Sequence, residues 1–366
     1  MQLPIVKKTT KLKFLSPKNQ SFFSTLKSRV DQHFKSNQKS KTGDWPIVVK
    51  SCFFIGGFLG IYFILLFSNQ SSFINLILIS LMGMFGAFIG FNVSHDAIHG
   101  SFSNKNWINN LMKHSFYLIG ANPYIWKITH NHMHHTYTNI QEHDEDLDIA
   151  PGLIRLKSND PLKFIHRFQK YYAIPLYGFA SMSWVVRKDF KKMFSKSLLP
   201  ANSSHHPKIE YFNLFFFKAL YWVFFAIVPM LVLDISIWQW LIAFLVFHLS
   251  QGLVLGLVFQ LAHVVEGLQF PEPDENGYLE ETWAIHQMQT TANFGTQNRL
   301  LSFFCGGLNH QIEHHLFPNI SHIHYAELSK IVKATAAEFN VPYFENKSFT
   351  TALISHYNML NKLGKS

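Results

Sequence analysis

The 366-residue sequence predicts an all-α polytopic membrane protein, with four transmembrane helices in two hairpins beneath a helical cytosolic cap. Three observations carry that expectation. Four apolar runs, about 46–67, 73–93, 211–233 and 237–262, each approach the ~20 residues that a helix needs to cross a hydrocarbon core. Charged residues make up only 15% of the chain while Phe alone supplies 37 residues, a balance that suits several apolar spans better than a soluble domain. Lys and Arg are absent from the short connections inside each pair of runs, 68–72 and 234–236, and crowd the segments outside them.

Taken in order, residues 1–45 form a basic arm with ten Lys and Arg: Lys7, Lys8, Lys11, Lys13, Lys18, Lys27, Arg29, Lys35, Lys39 and Lys41. An amphipathic helix is expected there around Phe22 to Phe34. Residues 46–366 then form one domain. Its cap, 94–210 and 263–366, holds nearly all the remaining basic residues, so arm and cap are expected on the cytosolic side. Two further apolar stretches, Ser115 to Ala121 and Tyr171 to Val186, are short or interrupted by Pro175, and predict interfacial helices. The net charge of +10 is spread around apolar segments with no separate basic domain, which points to membrane lipid and away from nucleic acid. Two cysteines, Cys52 and Cys305, make no disulfide framework. No cleavable signal peptide is expected, because the start of the chain is polar and basic.

Histidine carries the chemistry. There are 21, and they cluster. The first group is His95-Asp96-Ala97-Ile98-His99, continuing the second run; a spacing of four puts both imidazoles on one helical face. The second is His130-Asn131-His132-Met133-His134-His135, with the same spacing between His130 and His134. The third is His310-Gln311-Ile312-Glu313-His314-His315. Between them, His263 stands where the fourth run meets the cytosol. A lone histidine is most often solvated or a satisfied core residue, but three paired clusters on one expected side imply a shared metal site. Their number exceeds what one ion takes, so at least two metals are implied. No HExxH pattern and no cysteine pair is present, and imidazole suits Fe, Zn, Cu and Ni alike. Asp96 and Glu313 could each orient a neighbouring imidazole, with plain solvation as the alternative. The acidic run Glu142 to Asp148 is expected to be a solvated loop, and His205, His206, His322, His324 and His356 surface residues. His248, inside the fourth run, is expected to be buried and hydrogen-bonded.

HDAIH, HNHMHH and QIEHH, in that order and with a pair of apolar runs between the second and the third, resemble the three histidine boxes of membrane fatty-acid desaturases. The stretches HNHMHHTYTN (130–139) and NHQIEHHLFP (309–318) resemble the front-end, linoleoyl-CoA-desaturase-like branch, in which Gln311 replaces a histidine. The resemblance runs from about Lys41 to the C-terminus. It implies a non-haem centre of two iron ions that uses O2 and two electrons to place a cis double bond in an acyl-CoA or acyl-lipid. It assigns ligation to His95, His99, His130, His134, His135, His263, His314 and His315. Gln311 becomes a weak or water-mediated ligand or a supporting neighbour, His132 and His286 supporting neighbours at most, and His310 a ligand only if the local register shifts. Many relatives of that branch carry a fused cytochrome b5 domain with an HPGG motif; neither that motif nor a GxGxxG fingerprint occurs here, so a separate ferredoxin or cytochrome b5 is expected to deliver electrons. A hydroxylase on the same scaffold would share every motif. A metal transporter would favour histidines inside the spans, where His248 stands alone.

Overall fold

The computed structural model describes residues 12–15, 20–144, 146, 149–156, 160–199 and 203–365. Lys7, Lys8, Lys11 and Lys18 of the basic arm, and 145, 147 and 148 of the acidic run, lie outside the described residues.

The four apolar runs are four long helices: Trp45–Phe67, Ser72–His99, Lys208–Val232 and Ile237–His263. Local chemistry sets their ends. Pro46 opens the first span, at a position where a missing N–H costs no helical bond. Ser71 caps the second by accepting from the Ile74 N–H. Ser236 and Gln239 form a reciprocal capping box at the start of the fourth. The second span continues past its apolar run: Gly90–Ser94 forms a π-helical turn, and His95–His99 follows as α-helix up to Gly100, whose φ of 77° ends it in the left-handed region. The first histidine pair is therefore carried on a membrane helix.

The second and fourth spans pack closely because small residues face each other. Gly83 lies against the Phe247 carbonyl and Gly86 against the Gln251 side chain, while Ser80 and Ser250 share a hydrogen bond of 2.8 Å. Phe54 and Phe58 of the first span fill the adjoining core with Phe88 and Phe247.

The segment between the two hairpins departs from its expected interfacial position. Helices Gln169–Tyr177 and Ala180–Ser183 pack on the fourth span, with the Gly178 carbonyl against Gly252 and Tyr177 against Gly256. Ser181 Oγ meets His248 Nδ1 at 2.9 Å, and Tyr221 OH meets His248 Nε2 at 3.0 Å. His248 lies 15 residues before His263, about 22 Å down the helix axis. The segment can reach that depth because its polar atoms find partners in the protein. As expected, His248 is buried and hydrogen-bonded.

The cap closes over the histidine end. Helix Gln20–Ser36 lays Phe22, Leu26, Val30 and Phe34, one face at four-residue spacing, on Leu328, Val332 and Ala336 of helix Tyr325–Glu338. Two short parallel strand pairs fasten distant segments: Lys13–Phe14 with Tyr278–Leu279, and Ala292–Phe294 with Phe344–Asn346.

Candidate metal centre

Four segments deliver imidazoles to one buried volume. The second span brings His95 and His99. A π-helical stretch, Ile128–His134, brings His130 and His134, with His135 following. The fourth span ends on His263, and helix Gln311–Leu316 brings His314 and His315. His95, His99, His130 and His314 each place a ring nitrogen within 4.8 Å of the others; His134, His263 and His315 do likewise. His135 joins the two groups, its Nε2 lying 3.2 Å from His130 Nε2 and its ring 4.4 Å from that of His315.

In the second group, each ring is held by the nitrogen that faces away from its neighbours. His134 Nδ1 donates to both oxygens of Asp144 at 3.0 Å, His263 Nδ1 to the Thr290 carbonyl at 3.2 Å, and His315 Nδ1 to Gln287 Oε1 at 2.8 Å. The Nε2 atoms of all three are buried without a hydrogen-bond partner. Such an arrangement fixes the tautomer and points three lone pairs at one place, as metal-binding histidines require. In the first group, His130 Nδ1 donates to Asp146 at 2.7 Å, and His314 Nδ1 lies 3.1 Å from the Tyr325 hydroxyl. His95 Nε2 and His314 Nε2 approach to 3.2 Å, and His99 Nε2 has no hydrogen-bond partner. Leaving so many buried ring nitrogens unsatisfied would cost about 1–3 kcal/mol each, which bound metal would relieve. The donor set therefore fits metal.

Electrostatics agree. Burial, reinforced by neighbouring imidazoles, pushes the pKa values of His130, His135, His314 and His315 well below the usual histidine range, so these rings stay neutral and their lone pairs available. His134 differs: burial alone would lower it, but the Asp144 carboxylate prevails and raises it.

The remaining candidates spread out. Asp96 accepts from Ser321 Oγ at 2.8 Å and His322 Nδ1 at 2.9 Å, and its other oxygen lies 3.7 Å from His95 Nδ1. Glu313 faces away from the imidazole groups, accepting from Asn293 at 2.7 Å and Tyr343 at 3.1 Å. Gln311 is buried with its amide nitrogen unpartnered, and His286 is buried against Phe14, in neither group. His310 is buried one turn before His314, while His132 is exposed.

Several expectations from sequence need correction. His206, His322, His324 and His356 are buried, and of the five expected at the surface His205 alone is exposed. Tyr124 hydrogen-bonds His206, and Tyr177 together with the Val264 carbonyl hold His356. The acidic run is not a freely solvated loop: Asp144 is buried and, with Asp146, turns inward onto the second histidine box. Gln287, Thr290 and Tyr325 were not anticipated at all. The alternation of acids in Asp144 and Asp146 was the one visible signal for any of these partners.

Comparison with known proteins agrees with this geometry. Residues 71–347 match the family model described as "Fatty acid desaturase". The chain is 34% identical over 98% of its length to an acyl-lipid (8-3)-desaturase of Physcomitrium patens, covering 74% of that protein. It is 33% identical over 94% of its length to the sn-1 linoleoyl-lipid 6-desaturase of Synechocystis, covering 96% of it. A third relative, an acyl-lipid (8-3)-desaturase of Mortierella alpina, is 30% identical over 95% of the chain and is covered to 79%. With four apolar spans, metal-competent histidine groups and these relatives, the chain belongs to the fatty acid desaturase family, whose members are integral membrane oxidoreductases.

Proposed function

We propose that this fatty-acyl desaturase places a cis double bond in the acyl chain of a membrane lipid, at a centre of two irons on the cytosolic face. The proposed ligands are His95, His99, His130, His134, His135, His263, His314 and His315. The observation that carries the reading is the pair of buried imidazole groups whose ring nitrogens converge, the second group anchored throughout by its other nitrogens. Iron bound there would activate O2 and supply the oxidant needed to take hydrogen from adjacent methylenes, chemistry that no side chain provides. The relatives' names favour a lipid-borne chain over a CoA thioester. A separate ferredoxin or cytochrome b5 is the proposed source of electrons. Cytosolic placement of the cap follows from the Lys and Arg of its segments.

A slim cavity of ≈ 50 Å³ beside the first group is the proposed path of the acyl chain. Trp126, whose ring stacks on His130 at 3.9 Å, forms one wall with Thr129 and Trp184; Leu255, Gly256 and Phe259 of the fourth span form another. Side chains must shift to admit a whole chain. The walls from Trp126, Trp184 and Phe259 would align the reacting methylenes with the centre, with Asp146, Lys188, Asp189 and Lys192 completing the lining.

The test is fatty-acid profiling of a host that expresses the chain against an empty vector, with iron measured in the purified protein. New double bonds are expected, and His134→Ala and His314→Ala should each abolish them and lower bound iron. Hydroxylated chains in place of unsaturated ones, or full activity in both variants, would sink the reading.

A further inference from the structure

A second pocket, ≈ 660 Å³, opens where the cap end of the first span meets the C-terminal segment. Val49, Lys50 and Phe53 line it from the span; Phe303, His310 and His322 line it from the cap. It shares no lining residue with the cavity beside Trp126. Its size falls within the range of small-molecule sites.

Lys50 is the first observation. Its Nζ lies 3.0 Å from His322 Nε2, and His322 Nδ1 lies 2.9 Å from Asp96. This order fixes the protons: His322 gives its single ring proton to Asp96 and accepts one from the ammonium of Lys50. Two N–H groups of Lys50 remain, along with a full positive charge. No carboxylate lies within 4.0 Å of that ammonium among the described residues; the Phe303 ring stands 4.8 Å away to the centroid, and the Asp96 carboxylate acts on it from farther, across His322. A half-buried cation without a close anion is costly unless a ligand supplies one.

His310 is the second and is independent of the first. It is 1% exposed, and neither ring nitrogen has a hydrogen-bond partner. The nearest carboxylate oxygen, of Glu313, is 3.8 Å from Nδ1 and already accepts from Asn293. The pocket thus offers a cation, an unsatisfied imidazole and apolar walls. Val49 and Phe53 are half-exposed on the lipid-facing side of the span, and Lys50 stands in its second turn.

We propose that this pocket binds the phosphate headgroup of an anionic membrane lipid, with Lys50 and His310 contacting the phosphate and the lipid's chain lying along Val49 and Phe53. Basic pockets beside transmembrane helices take lipid phosphates in this way. Phosphate is the chemistry recognised, and the apolar wall distinguishes a lipid from the free ion.

The metal-loaded full-length protein can be placed in phosphatidylcholine nanodiscs, with or without phosphatidylglycerol, and its retained lipids counted by native mass spectrometry. One phosphatidylglycerol is expected to be kept in preference to phosphatidylcholine. Lys50→Gln should reduce that preference by roughly fivefold or more, and Lys50→Arg should preserve it. Inorganic phosphate, added as a competitor, should displace the lipid poorly. The proposal is overturned if the wild-type protein shows no preference, which needs no variant to fold. It is also overturned if folded Lys50→Gln retains the lipid as well as wild type, or if inorganic phosphate competes on equal terms.

Discussion

Proton placement on each imidazole decides what the clustered histidines can hold. Asp144, Thr290 and Gln287 each take the Nδ1 proton of one histidine and so leave Nε2 for metal. Asp144→Ala is expected to lower metal affinity by roughly 10–100-fold, because His134 loses its anchor and its raised basicity together. Asp144→Asn, which keeps an acceptor but no charge, should lose less; titration of metal into the stripped protein separates the two. The pairs His95/His99 and His130/His134 were legible from their helical spacing, which is local information, while the choice of all eight candidate ligands came from the family resemblance. Their anchors were not. Gln287 reaches His315 across 28 positions, and nothing near either residue announces the other. The same reason hid the burial of His322 and His356, whose partners Asp96, Tyr177 and Val264 lie far along the chain.

Among the elements, the four spans were readable from length and apolarity alone, while the depth of helices Gln169–Tyr177 and Ala180–Ser183 was not. A stretch with Tyr, Ser and Pro175 has the composition of an interfacial segment. Only its fit against Gly252 and Gly256, and the bonds from Ser181 to His248, carry it further down. Gly252→Ala is therefore a sharp probe. In an isolated helix the change would gain about 1 kcal/mol of propensity. Here the added carbon meets the Gly178 backbone carbonyl, which cannot turn aside, and such overpacking costs about 1–3 kcal/mol. A lower melting temperature in detergent is expected; an unchanged or higher one would mean that the two helices separate freely. Helix Gln20–Ser36 shows the opposite balance. Its four-residue pattern was visible, and its place on Tyr325–Glu338 rests on the buried Phe22, Leu26, Val30 and Phe34. The Arg29–Glu338 pair beside them is half-exposed and contributes little.

Across the whole molecule, both hairpins turn at one end and every imidazole of the two groups gathers at the other. Single cysteines at Asn69 and Asp234 should thus be labelled from the side opposite to a cysteine at Asn276 by a membrane-impermeant thiol reagent. Labelling of all three from one side would overturn the hairpin arrangement. A second global property is acid sensitivity. His356 ties the C-terminal helix to Tyr177 and to the end of the fourth span, and burial holds its pKa down, at about 4. A histidine depressed in the folded state takes up its proton more readily once unfolded. Its contribution is full above the usual value near 6.5 and is lost as pH falls from there toward 4. The loss is on the order of 3 kcal/mol. Melts at pH 7 and pH 5 should show a smaller drop for His356→Gln than for wild type.

The π-helical turns at Gly90–Ser94 and Ile128–His134 make the reactive centre sensitive to length as well as to composition. Each holds one residue more per turn than a regular helix would. Removing a single residue such as Val93 would let the second span relax into continuous α-helix, as apolar as before and just as able to cross a bilayer. The wide turn absorbs that one extra residue, so everything beyond this deletion would keep its angular phase, whereas the same deletion one turn earlier, in regular α-helix, would swing it by about 100°. In that second case His95 and His99 would aim away from His130 and His314, so a chain that inserts normally would carry no assembled centre.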